Sequence, residues 1–372
     1  MAGTSTTAAA KTVAFLGPPS SYTHQTTKRT FSESEWELKP TVTIRDVFDA
    51  VQAGAAAFGV VPFENSTHGV VTFTLDCLAD RGDSQRYADL AVCGEAYLDV
   101  HHFLLGRFPS SSAASTEDVD GGNGKGDGTS TPTKGNPVPI PPRAKPLVSL
   151  KHIQRVYSHP QAFGQSGAFL RTYLKGVDLV DVTSTSKAAE LAAADETGTS
   201  AAIAGEISAE LKGLDVLARS IEDREDNTTR FFVTKKLDQD GSGPDFDGIR
   251  LGGEEQDERG EEGYQGAKYK SLVSFTVPHR TPGALADVLD CFRRGKLNLT
   301  SINSLPSLIE PFQYMFFVEF EGCRFDDPDG RVKGVMEDVG RVAQGWKWLG
   351  SWRNQRRALA GKVISGERNT LS

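Results

Sequence analysis

The most constraining feature of this chain is a change of rhythm. Between residues 11 and 236 its hydrophobic residues recur alternately at helical and at strand spacing, and after residue 269 those elements follow a different order. TIRDVFDAVQAG sets Ile44, Val47, Phe48 and Val51 on one helical face behind a Thr43 cap and stops at Gly54. FGVVPF then reads as a buried strand. The rhythm recurs as RVYSH (strand), PQAFGQSGAFLRTYL (helix, Pro160 in its first turn), LVDV (strand), SKAAELAAADE (helix) and SAAIAG (strand). Such alternation predicts α/β architecture with largely parallel sheets. IRDVFDAVQAG…FGVVPFENS and SKAAELAAADE…SAAIAGEIS share one helix, strand, polar-turn layout, so two similar lobes are expected, with a cleft between them as the ligand site. Beyond residue 269, SLVSFTV, GALADVLDCFRR, LNLTSINS, QYMFFVEFEG, GRVKGVMEDVGRVA and WKWLGSW give βαββαβ, the ferredoxin-like order of a separate small domain.

Composition supplies the boundaries. From 110 to 146 the only large aliphatic residues are Val119, Val138 and Ile140, too few to offset the entropy of ordering, so this stretch is expected to be a disordered insertion. Its GGNGKGDG run lacks the preceding strand and the following G-K-[ST] of a phosphate loop. Residues 238–268 carry ten acidic side chains against three basic ones, which accounts for most of the net charge of −8 and leaves a nearly neutral body. A nearly neutral body argues against a nucleic-acid partner, which needs a basic face. The expected division is therefore a domain at 11–236, an acidic linker at 237–269, a second domain at 270–355 and a tail at 356–372. No run approaches the roughly 18–20 apolar residues of a membrane span. Cys77, Cys93, Cys291 and Cys323 form no C-x-x-C pair, and the residues before Val13 do not resemble a signal or transit peptide, so a cytosolic protein is expected.

Open α/β sheets bind ligands beyond the carboxyl ends of their strands. Polar clusters follow several predicted strands: Gly17 to Thr23, Glu64 to Thr67, Ser158 to Gln161, and Thr183 to Thr185; Asp226 to Phe231 leads into a last strand, FFVTKK. Taken singly, a hydroxyl such as that of Thr43 or Thr185 is a helix cap, and the same helix starts favour anions. His101 and His102 lie in the strand-like YLDVHHFLLG, where neighbours face opposite ways and cannot form one metal site. Taken in order, F-L-G-P-x-x-S-Y-T at 15–23, V-P-F-E-N-S at 61–66, S-H-P-Q-A at 158–162, N-x-T-R-F at 227–231, P-G-A-L at 282–285 and I-N-S-L-P at 302–306 resemble prephenate dehydratase from about Val13 to Trp352. The resemblance implies two periplasmic-binding-protein-like lobes (type II) around a catalytic cleft, followed by a ferredoxin-like ACT domain that senses phenylalanine.

The implied reaction converts prephenate to phenylpyruvate with loss of carbon dioxide and the ring hydroxyl, and needs no metal or organic cofactor. Aromatisation drives it. The protein must assist a hydroxide-like leaving group and hold a dianion in one pose. Carried over residue by residue, Thr229 is the catalytic group, and Ser21, Thr23, Asn65, Ser66, His159, Gln161, Ser184 and Thr185 line the cleft. Arg230 offers a guanidinium fork for a substrate carboxylate, or else a structural ion pair. Phe231 is grouped with the substrate residues, although it and Tyr22 suit packing. Glu64 is either an acid or a loop anchor. Gly283, Ala284, Leu285, Asn303 and Ser304 correspond to the effector site, and the ACT domain implies a homodimer or homotetramer.

Two positions depart from the family pattern. Ser20 stands where a glycine is usual, and Asn303-Ser304-Leu305-Pro306 replaces E-S-R-P. Since Leu305 has none of arginine's donors, weaker phenylalanine feedback is expected, restored by Leu305→Arg. Two other readings stay open at this point: an arogenate dehydratase, which performs the same elimination on an amino-bearing substrate, and a non-catalytic amino-acid sensor. A fused chorismate mutase is not expected before Val13.

Overall fold

The computed structural model describes residues 11–81, 85–108, 141–237 and 268–355; residues 238–267 of the expected acidic linker, the tail at 356–372 and the expected insertion up to residue 140 lie outside them. The chain runs β1 (Lys11–Leu16), α1 (Tyr22–Thr30), β2 (Trp36–Thr41), α2 (Ile44–Gln52), β3 (Phe58–Asn65), β4 (Gly69–Val70), α3 (Thr72–Ala79) and β5 (Leu90–Asp99). It continues through β6 (Phe103–Gly106), β7 (Arg155–Ser158), α4 (Pro160–Gln165), α5 (Gly167–Tyr173), β8 (Asp178–Asp181), α6 (Thr185–Ala194), β9 (Ser200–Ala204), α7 (Ile207–Lys212), β10 (Asp215–Ala218) and β11 (Thr228–Lys236). The last stretch is β12 (Tyr269–Thr276), α8 (Ala284–Arg294), β13 (Leu299–Pro306), β14 (Tyr314–Glu321), α9 (Arg331–Val342) and β15 (Gly345–Arg353). Among the described residues no helix is long and apolar enough to cross a membrane.

Two compact units result: one takes the described residues of Met1–Gly17, Thr26–Tyr97 and Thr229–Ser372, the other those of Pro18–Gln25 and Leu98–Thr228. The second unit holds a sheet of order β10-β6-β9-β7-β8, in which β7 runs parallel to β8 and β9 while β6 is antiparallel to β9 and β10. In the first, β5-β11-β3-β1-β2 repeats that order, with the antiparallel β11 beside β3 and parallel β1-β2 and β1-β3 pairs. The shared layout of the two sequence segments thus becomes two sheets of one topology.

The βαββαβ segment forms as the patterning predicts, but it is not a separate body. Its strands β13-β14-β12-β15 continue the first unit's sheet through the single pair Gly350↔Val92. A Cβ on Gly350 would stand 2.0 Å from the Val92 carbonyl oxygen, and its φ of +145° is itself glycine's territory, so this joint tolerates no side chain. One face of the βαββαβ sheet packs on α8 and α9 through Val273, Phe275, Val318 and Phe320. Its other face sends Leu272, Leu305, Phe317 and Leu349, with Trp352, into the same core as Val47, Phe48, Phe63, Leu78 and Phe232 of the lobe. Apolar area on both faces of a sheet demands a cover on both, and the lobe is the second cover.

Local expectations fail at two places. PQAFGQSGAFLRTYL is broken at Ser166 into α4 and α5. YLDVHHFLLG is interrupted between Asp99 and Phe103, where the chain leaves one sheet for the other.

Candidate active site

Thr229 stands directly opposite Asn65 in the antiparallel β3-β11 pair. The Asn65 amide Nδ2 donates to the Thr229 hydroxyl at 3.0 Å. Its other end is tied down locally: the Thr67 N–H (3.0 Å), the Thr67 hydroxyl (2.6 Å) and the His68 N–H (3.1 Å) all donate to Oδ1. An Asx turn therefore fixes which end of the amide faces Thr229. Since the Thr229 oxygen is acting as an acceptor, its own proton is left to donate, and accepting a bond polarises that proton. Thr229 and Asn65 are half-buried and Ser66 is exposed beside them, so this hydroxyl is reachable.

In the second unit the predicted polar turns at 158–161 and 183–185 follow the carboxyl ends of β7 and β8. His159 caps α4, its Nδ1 accepting from the Gln161 N–H at 3.2 Å. With Nδ1 an acceptor, the neutral ring's proton lies on Nε2. Ser184, not Thr185, caps α6, accepting from the Lys187 N–H at 3.0 Å; Thr185 is the helix's first residue. Thr43 caps α2 as expected, in a reciprocal box with Asp46. Ser21 accepts from the His24 N–H at 3.1 Å at the start of α1, and Thr23, the second residue of that helix, is buried. Ser20 has φ +76°, the conformation for which glycine is usual, and its hydroxyl is buried without a hydrogen-bond partner.

Arg230 and Phe231, expected on the substrate side, are instead interior residues. Phe231 is 1% exposed and packs in the core. Arg230 contacts the Glu95 carboxylate at 2.6 Å and that of Glu319, and Glu64 lies at 3.9 Å on its outer edge. Burial alone would lower its pKa, but Glu95 and Glu319 outweigh it and hold the guanidinium well above its ordinary value. Glu64 is 40% exposed and serves as that peripheral partner, opposite Arg230 in the strand pair.

Sequence reasoning missed a second buried network. Tyr22 lies 2.9 Å from His102 Nδ1, whose Nε2 meets Gln165 Oε1 at 2.6 Å. Glu222, 1% exposed, accepts from the His102 backbone N–H at 2.8 Å and pairs with the His101 ring at 3.0 Å. Burial lowers the His102 pKa, and burial, then Glu222, raise that of Tyr22. The available signal was charge out of pattern at Glu95, Lys270 and Glu319, which stand within apolar strands and demand partners; Glu222 gave none, because it opens the charged run 222–226.

On the βαββαβ segment Gly283, Ala284 and Leu285 line an open cavity of about 500 Å³ with Val277, His279, Leu289, Tyr314 and Phe316. Asn303 and Ser304 do not line it; they lie on neighbouring β13, where the Asn303 amide donates to Ser301 at 3.0 Å. Leu305 is 9% exposed in the shared core, so it does not occupy a charged residue's place at a binding surface.

A family model described as prephenate dehydratase matches residues 13–119 and 142–239. The bifunctional chorismate mutase/prephenate dehydratase of Aquifex aeolicus is 31% identical over 91% of this chain and 73% of its own length. A probable prephenate dehydratase of Saccharomyces cerevisiae is 28% identical over 92% and 97%. Among solved structures, the prephenate dehydratase of Arthrobacter aurescens in complex with L-Phe superposes with a TM-score of 0.68 at 24% identity, covering 96% of this chain and 99% of that one.

Proposed function

The chain belongs to the prephenate dehydratase family, and from that premise we propose that Thr229, oriented by Asn65, assists departure of the ring hydroxyl of prephenate. As the ring carboxylate leaves as carbon dioxide, the electron pair of that broken bond enters the ring, and the carbon–oxygen bond opposite breaks. The departing oxygen takes a hydrogen bond from Thr229 and leaves as water with a proton supplied from solvent. Phenylpyruvate remains. A threonine is too weak an acid to be the proton's source at neutral pH, so its part is directed hydrogen bonding where charge develops. The observation that carries this reading is the one-way bond from Asn65, which leaves the Thr229 proton for the substrate. Ser66, Ser21, Thr23, His159, Gln161, Ser184 and Thr185 are the candidates for the substrate's carboxylates and side-chain ketone. Incubating the protein separately with prephenate and with arogenate, while following phenylpyruvate and phenylalanine, tests it. Phenylpyruvate from prephenate is the expected result; turnover of arogenate alone makes it an arogenate dehydratase, and no product from either leaves an amino-acid sensor.

Phenylalanine is the effector in this reading, and the cavity beside α8 is its site. Val277, Leu289 and Phe316 suit a phenyl ring, and the start of α8, which no side chain caps at Gly283, suits a carboxylate. The βαββαβ segment is then the ACT domain. A homo-oligomer is proposed on the exposed Ile302, Leu308, Ile309, Phe312 and Tyr314 along and beyond β13. Four free, buried cysteines accord with a cytosolic setting.

A further inference from the structure

One residue beyond Thr229 lies a buried quartet of charges. Arg230 of β11 and Glu95 of β5 come from the lobe's strands, Lys270 of β12 and Glu319 of β14 from the βαββαβ segment. Arg230 bridges the two carboxylates, and Lys270 Nζ stands 3.3 Å from Glu95 and 3.4 Å from Glu319. The Thr300 hydroxyl of β13 donates to Glu319 Oε1, the same oxygen that Lys270 faces, while Arg230 takes Oε2. Their side chains are 7%, 0%, 2% and 1% exposed for Arg230, Glu95, Lys270 and Glu319, and the formal charges cancel. The rings of Phe63, Tyr97, Phe232 and Trp352 surround the guanidinium at 5.0–5.9 Å.

Stability does not explain such a cluster, because a buried ion pair is commonly no better than apolar residues of the same volume. Its placement does. The backbone ladder joins the two halves of the sheet at the Gly350↔Val92 pair, and the quartet is the buried ionic link between them, beside polar contacts such as Lys347 Nζ to the Tyr87 carbonyl and the Gln355 N–H to Glu95. The β3-β11 register shifts between Arg230 and Phe231, a bulge that sets the Thr229↔Asn65 and Arg230↔Glu64 pairs off from the rest of the ladder. Glu319 shares β14 with Tyr314 and Phe316, which line the α8 cavity.

We propose that Arg230 is a positioning residue for Thr229, and that Glu319, acting through it, transmits the state of the βαββαβ sheet to the reacting centre. The transmission half rests on the reading of the α8 cavity as the phenylalanine site. A shift of β14 moves Glu319, the guanidinium follows its carboxylate, and Thr229 leaves its register with Asn65.

The test uses the full chain with Glu319→Gln, Glu319→Asp and Arg230→Lys, measuring phenylalanine affinity by calorimetry beside kcat, KM and phenylalanine inhibition. Glu319→Gln is expected to bind phenylalanine within about threefold of the wild-type Kd while its inhibition constant rises at least tenfold, and Glu319→Asp to recover most of the coupling. Arg230→Lys, which keeps the charge but loses the fork, is expected to lower kcat at least tenfold with KM little changed. Inhibition that follows binding in Glu319→Gln as in the wild type overturns the transmission, and unchanged kcat in Arg230→Lys overturns the positioning. Should Glu319→Gln not fold, the ratio of inhibition to binding in Arg230→Lys decides the transmission by the same criterion. If the wild type neither binds nor responds to phenylalanine, the effector reading fails and the transmission with it, while the Arg230→Lys kinetics still judge the positioning.

Discussion

At the scale of single residues, the direction of one hydrogen bond makes the sharpest prediction. Thr229→Ala should lower kcat by about 10²–10⁴, the range for a positioned hydrogen-bonding or proton-transfer group, while Thr229→Ser retains far more. Asn65→Asp should also lose at least about 10² although its shape is kept, because a carboxylate takes the Thr229 proton that the amide left available. Steady-state kinetics with prephenate would check all three. His102 makes a different prediction, about stability against pH. Burial holds its folded pKa below the ordinary value of about 6.5, so the unfolded chain binds a proton that the folded chain refuses. Its contribution is complete above about pH 6.5 and is lost as pH falls toward the depressed folded value, by at most about 1.4 kcal/mol per pH unit. Urea midpoints measured from pH 7.5 to 5.5 should fall for the wild type and fall less for His102→Gln.

At the scale of elements, the joint between β15 and β5 is the most sensitive point. Gly350→Ala would drive a methyl into the Val92 backbone at a φ that side chains rarely adopt, and a loss of at least about 3 kcal/mol in denaturant unfolding is expected. β13 reverses an expectation of the sequence. Leu305→Arg, anticipated to restore feedback, would bury a guanidinium in the core shared by Phe63, Phe317 and Trp352. Buried among those apolar side chains, the guanidinium should cost the variant about 3–5 kcal/mol and bring no tighter phenylalanine inhibition. Thermal melts and an inhibition titration would decide. The βαββαβ elements themselves were legible, because their periods of 2 and 3.6 are local properties. Which face of β13 points inward was not, since the apolar Leu299, Ile302 and Leu305 of LTSINSLP recur every three residues and so fall on both faces of a strand.

At the scale of the whole molecule, the first lobe and the βαββαβ segment stand or fall together. Ending the chain at residue 237 would strip Leu272, Leu305, Phe317, Leu349 and Trp352 from the lobe's core. At about 1.5–3 kcal/mol for each buried side chain, the loss rivals the 5–15 kcal/mol that holds a typical domain together. The truncated chain should therefore melt more than about 10 °C lower or aggregate, as calorimetry and light scattering would report. The amino-acid sequence by itself determined the α/β alternation, the doubled layout, the βαββαβ order and the family, together with the polar turns that end the strands. All of these rest on residues close together in the chain, through side-chain periodicity, capping and turn chemistry. Only the tertiary structure decided that Arg230 joins a buried quartet, that Asn65 donates to Thr229, and that the last segment shares a core with the first lobe. Those facts join Asn65 to Thr229, Glu95 to Lys270 and Arg230 to Glu319, pairs between 89 and 175 positions apart. No local pattern records such pairings, because each charge was placed for the partner it meets only after the sheet has closed.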